Sequence, residues 1–99
     1  MVIISISSYP LESVKEIAKR LMQQSPLPAY ITMKGPYANS EVGAGMKVIA
    51  IFEFDKSKLS EAFEVITARY VKYHGVPGFT YSHNVWLETK EALKAIGMG

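Results

Sequence analysis

The nine residues Met46–Phe54, MKVIAIFEF, constrain this chain more than any other stretch. Val48, Ala50 and Phe52 alternate with Ile49 and Ile51, so a strand formed here is apolar on nearly both faces. Such a strand belongs in the middle of a sheet, where both of its sides can be covered.

The flanking sequence supplies its neighbours. Val2–Ser8, VIISISS, and Ala29–Gly35, AYITMKG, read as strands, and the residues GFTYSHNVWLE read as a fourth. Between the first two lies a helical pattern. Ser8 or Tyr9 is placed to cap it, Pro10 suits its first turn, and Glu12 and Glu16 favour its positive end. Leu11, Val14, Ile17, Ala18, Leu21 and Met22 form its apolar stripe, and SPLP stops it near Gln24. PYANSEVGAG reads as a long polar loop. After the central strand, Asp55 or Ser57 can cap a second helix with the stripe Leu59, Ala62, Phe63, Ile66, Tyr70 and Tyr73. Gly75 and Pro77 end it. Thr89 is expected to cap a short third helix with Leu93 and Ile96 facing inward.

This order predicts an α+β, ferredoxin-like βαββαβ domain spanning residues 1–99. A four-stranded antiparallel sheet would carry two helices on one face and end in a short C-terminal helix. The 99 residues leave no room for a second domain and suffice for a core.

Two helices cover only one face. Alternation assigns to that face Val2, Ile4, Ile6, Ala29, Ile31, Met33, Met46, Val48, Ala50, Phe52, Phe79, Tyr81, His83 and Val85. The open face would then hold Ile3, Ser5, Ser7, Tyr30, Thr32, Lys34, Lys47, Ile49, Ile51, Glu53, Thr80, Ser82, Asn84 and Trp86. A bulge in the fourth strand would exchange His83 with Asn84. Ile3, Ile49, Ile51, Tyr30 and Trp86 are too many large apolar groups for a solvated surface. Three covers are open: a second copy, RNA bases or a flat ligand. RNA-recognition sheets stack bases on aromatics of their first and third strands, but those positions here hold Ile3, Ser5, Ile49 and Ile51.

Bulk properties narrow the classes further. A net charge of +2 does not point to nucleic acid or a membrane surface. No run approaches the ~20 apolar residues of a membrane span. MVIISISSYP has neither a basic leader nor a long apolar run, so no signal peptide is expected. The absence of cysteine removes disulfides, thiolate metal sites and thiol nucleophiles, and fits a cytoplasmic protein.

With its apolar open face and short C-terminal element, the whole chain resembles the dimeric α+β barrel superfamily, in which two open sheets face each other. The resemblance implies a homodimer whose interface includes Tyr30, Ile49, Ile51 and Trp86. Its members include small monooxygenases of aromatic compounds, haem-degrading monooxygenases and lactone isomerases. His74 resembles the histidine that haem-degrading members carry near the end of the second helix. Those members add a tryptophan on that helix and an asparagine on the first strand. Here the helix has no tryptophan and the strand offers Ser5 and Ser7, so no cofactor is expected.

Tyr70–Trp86 holds both histidines, three of the six tyrosines and the single tryptophan. His83, pointing inward beside Tyr81 with Tyr70 and Tyr73 across from it, could hold a phenolic oxygen and transfer a proton. Against this stands an ordinary core histidine satisfied by a hydrogen bond. His74 reads first as a helix-end residue favoured by the dipole, and second as a ligand or base at a cleft mouth. His83, Tyr81, Tyr70, Tyr73 and His74 are therefore the candidate ligand-binding residues, for a small aromatic or hydrophobic molecule. Lys34, Lys47 and Glu53 read as rim ion pairs. Two histidines with no nearby acidic partner give no metal-ligand spacing, and no serine sits in a nucleophile elbow. The competing reading is a non-catalytic oligomeric module in which these side chains are only core.

Overall fold

The computed structural model describes residues 1–98. It contains strands β1 (Val2–Tyr9), β2 (Thr32–Glu41), β3 (Gly45–Glu53) and β4 (Thr80–Trp86). Its helices are α1 (Val14–Met22), α2 (Leu59–Val71) and α3 (Thr89–Ala95). The fold is α+β, with one open antiparallel sheet in the order β2-β3-β1-β4, compatible with a ferredoxin-like arrangement. β3 lies inside the sheet, as its two apolar faces require. Among the described residues, no helix is long and apolar enough to cross a membrane.

The central strand β1 is turned over relative to its expected phase. Ile3, Ser5 and Ser7 are buried, while Val2, Ile4 and Ile6 face away from the helices. The register fixes this: Ile3 lies opposite Phe52 and Val85, Ser5 opposite Ala50 and His83, and Ser7 opposite Val48 and Tyr81. The assignments for β3 and β4 hold, and the β1–β4 register runs without a bulge. Side-chain volume explains the inversion. β4 and α2 direct Tyr81, His83 and Tyr70 over the centre of the sheet, so the β1 positions beneath them must be small. The more apolar side of β1 is left outside.

β2 also departs from expectation. It starts at Thr32, after a turn containing Tyr30, and runs through most of the stretch read as a polar loop. Its register with β3 shifts between Lys34 and Tyr37, so Gly35 and Pro36 together oppose one β3 residue. Gly35 has φ +94°, a conformation costly for a residue with a side chain, and Pro36 has no N–H to give the ladder. The bulge absorbs both without ending the strand, and the connection shrinks to Val42–Ala44.

The helices show how caps and tertiary contacts divide the work. Asp55 accepts from the Ser57 N–H at 3.0 Å, starting a 3-10 turn that leads into α2. Ala62 and Ile66 of α2 are fully buried in a core with Ile3, Ile31, Ala50, Phe52 and Phe54. Gly75, at φ +90°, lies in the turn that leads the chain out of α2. α1 begins later than expected, after a 3-10 turn over Leu11–Ser13, and only Ile17 of its stripe is buried. Leu11, Val14, Leu21 and Met22 stay exposed. Polar ties dock α1 instead. Arg20 donates to the Lys72 and His74 carbonyls, Gln24 to the Arg69 carbonyl, and Arg69 to the Ser25 carbonyl. α3 is capped by a reciprocal Glu88–Glu91 box rather than by Thr89, and its Leu93 and Ile96 are exposed rather than inward.

Candidate functional site

The inward faces of β4 and α2 meet in a continuous aromatic cluster. The five residues singled out from sequence all belong to it. The His83 ring lies 4.6 Å from Tyr70 and 5.1 Å from Tyr81, centroid to centroid. Tyr70 lies 5.4 Å from Tyr81 and 6.1 Å from Tyr73. His74 stacks on Tyr81, and its Nε2 is 2.9 Å from the Tyr81 hydroxyl. Phe63, Phe79 and Tyr9 extend the cluster at its ends.

The polar contacts of His83 are uneven. Nδ1 lies 2.8 Å from Ser5 Oγ. Nε2 is buried and has no hydrogen-bond partner among the described residues. A buried polar atom without a partner costs about 1–3 kcal/mol and calls for an explanation. Sequence reasoning missed Ser5 because it placed β1 in the opposite phase. The available signal was the serine repeat itself, since small polar residues at alternate positions of a central strand suit the space beneath large rings.

Burial holds the His83 imidazole below its ordinary value near 6.5, with a smaller opposing contribution from the Ser82 backbone carbonyl. The unfolded chain therefore binds a proton on this residue more readily than the folded one. The resulting stabilisation is complete above about pH 6.5 and is lost progressively as the pH falls toward the lower folded value. Glu91 and Asp55 also sit below their usual range, through hydrogen bonds and nearby positive charge, but they titrate at more acidic pH. Urea midpoints measured from pH 7.5 to 5 should fall for the wild type. His83→Phe should flatten that limb, and an unchanged slope would show that another group controls it.

Tyr70 is raised mainly by burial, and the neighbouring Ser5 hydroxyl pulls it partly back. On its other side Tyr70 borders a cavity of about 70 Å³, shared with Tyr73, Leu21, Gln24, Met33 and Phe52. The buried Gln24 Oε1 has no partner there among the described residues. Outside His83, Phe63 is 42% exposed and stands edge-on to the imidazole, 6.4 Å away. A groove of about 350 Å³ lies beyond it, lined by Phe63, Val85, Leu59, Ser60 and Glu64. A concavity of about 670 Å³ lies apart from these rings, between α3 and the start of α2. Its wall is mixed, with Met1, Phe54 and Leu87 beside the charged Asp55, Lys56, Glu88, Glu91 and Lys94.

The face away from the helices carries a different constellation. Pairing brings Val2, Ile4 and Ile6 alongside Ile51 and Ile49, with Trp86 and Tyr37 at the flanks. Lys34 and Glu53 close one side of this strip with an ion pair at 2.6 Å. Ile49, Ile51 and Trp86 lie here as expected. Tyr30 does not: it precedes β2, packs against the helix-side core and sits under the Lys58 ammonium. The reason is the late start of β2, which leaves Tyr30 outside the sheet. No family model, curated protein or solved structure matches this chain.

Proposed function

We propose that this protein is a homodimer of the dimeric α+β barrel type and that each subunit binds a small aromatic or hydrophobic molecule between α2 and β4. The observation that carries the reading is the buried Nε2 of His83, enclosed by aromatic rings and lacking a partner among the described residues. Aromatic walls around one unsatisfied polar atom are what a site for a flat, mostly apolar ligand needs. An imidazole beside phenols also suits proton transfer, as an isomerase or a cofactor-independent monooxygenase of aromatic compounds requires.

The rings now occupy most of the space. An apolar cavity of about 150 Å³ takes benzene, whereas the cavity beside Tyr70 is about 70 Å³. A ligand would therefore displace Phe63, the half-exposed ring between His83 and the outer groove. The small enclosed volume favours the second reading, a non-catalytic oligomeric module whose aromatic cluster is only core.

A nuclear magnetic resonance screen of small phenols and aromatic hydrocarbons separates the two. Wild type should bind with shifts confined to His83, Tyr70, Tyr81 and Phe63. His83→Phe and Tyr81→Phe should stay folded and lose roughly tenfold to a hundredfold in affinity for the His83 variant, the range of one buried hydrogen bond. A wild-type protein that binds nothing would leave the oligomeric module as the better account.

A further inference from the structure

We propose that Ser5 is a positioning residue: it holds the imidazole of His83 with its proton on Nδ1, so that Nε2 offers a lone pair and the site selects ligands carrying a hydroxyl or N–H donor. The ligand half of this inference rests on the binding site proposed above; the Ser5 half does not.

Ser5 is 1% exposed, in the middle of β1, directly across the register from His83. Its Oγ lies 2.8 Å from Nδ1. Either atom of that pair could donate, and the surroundings decide between them. The Tyr70 phenol neighbours the Ser5 hydroxyl and can accept from it. One arrangement satisfies all of these groups. Nδ1–H donates to Ser5 Oγ, while the Ser5 hydroxyl donates toward Tyr70. The alternative tautomer would bury an Nε2–H without an acceptor among the described residues, the costlier kind of orphan.

The remaining Nε2 lone pair faces the aromatic walls. A phenol, an enol or an N–H heterocycle can donate to it. A ligand of the same shape that only accepts, such as an ether or a ketone, would bring acceptor against acceptor and leave Nε2 unsatisfied. Ser5 thus acts on ligand choice through His83 without touching the ligand.

The tautomer can be read directly by long-range proton–nitrogen correlation on the two histidine rings, with the His83 signals assigned by their loss in His83→Phe. Wild type without ligand should show the Nδ1–H pattern at His83. Ser5→Ala should convert it to a mixture while keeping a dispersed spectrum, and Ser5→Thr should restore it by returning a hydroxyl. An Nε2–H pattern in wild type overturns the proposal, and so does a tautomer ratio that Ser5→Ala leaves unchanged. Phenol and anisole then probe selectivity, because they share a ring and differ in the donor. Phenol should bind at least tenfold more tightly than anisole and move the His83 Nε2 signal. Equal binding overturns the donor selectivity. Binding of neither, with the tautomer as expected, overturns the ligand-site reading and upholds the placement of His83 by Ser5.

Discussion

Phe52→Ala should remove about 3–5 kcal/mol of stability, the usual cost of emptying a buried phenylalanine site. Phe52 is 1% exposed and lies at the meeting point of three strands, opposite Ile3 on β1 and Met33 on β2. α2 lays Ala62 and Ile66 over the same core. The cavity cannot close easily, because its walls are the backbones of an interior strand and its two neighbours. Domains of this size are stable by about 5–15 kcal/mol in total, so the variant should be marginally folded. Urea unfolding followed by circular dichroism measures the loss. Met22→Ala is the internal comparison: Met22 is 87% exposed at the end of α1 and should change stability by no more than about 0.5 kcal/mol. A loss below about 1 kcal/mol for Phe52→Ala would show that the core is not where the packing places it.

Ile49→Glu should convert the proposed dimer into monomers. Ile49 sits on the open face between Ile6 of β1 and Tyr37 of β2, in the middle of the apolar strip. In the folded subunit it is 36% exposed, so the fold itself should tolerate the change with a loss of about 1 kcal/mol in strand propensity. In a face-to-face dimer the carboxylate would be buried without a partner, at about 3–5 kcal/mol, and twofold symmetry brings two copies. Dissociation should therefore strengthen by a hundredfold or more. Sedimentation velocity at micromolar concentration reads the oligomer, and Trp86, on the same face, should shift its fluorescence to the red as the interface opens. A wild type that is already monomeric at that concentration removes the premise. A dimer that survives the substitution places the interface elsewhere.

The inverted phase of β1 strengthens the case for a covered face. The expected open set contained Ile3, Ser5 and Ser7, which dilute an apolar surface. The observed set replaces them with Val2, Ile4 and Ile6, giving a strip of aliphatic side chains bordered by polar residues. An apolar centre with a polar rim is the usual anatomy of a protein interface.

What the sequence by itself determined was the order of the elements, the interior position of Met46–Phe54, a cap at Asp55 or Ser57 and the end of the second helix near Gly75. These are local matters of periodicity, capping and backbone conformation, and each is decided within a few residues. The inward direction of β4 was also legible, so the aromatic members of the candidate site could be named together. Tertiary structure alone decided the phase of β1 and the survival of β2 through Gly35–Pro36. Alternation tells which residues share a face, but when both faces hold isoleucine it does not tell which face turns inward. That choice depends on the volume of the side chains arriving from the other elements. The rings of Tyr70, Tyr81 and His83 needed small neighbours beneath them, which brought Ser5 to a histidine 78 residues away.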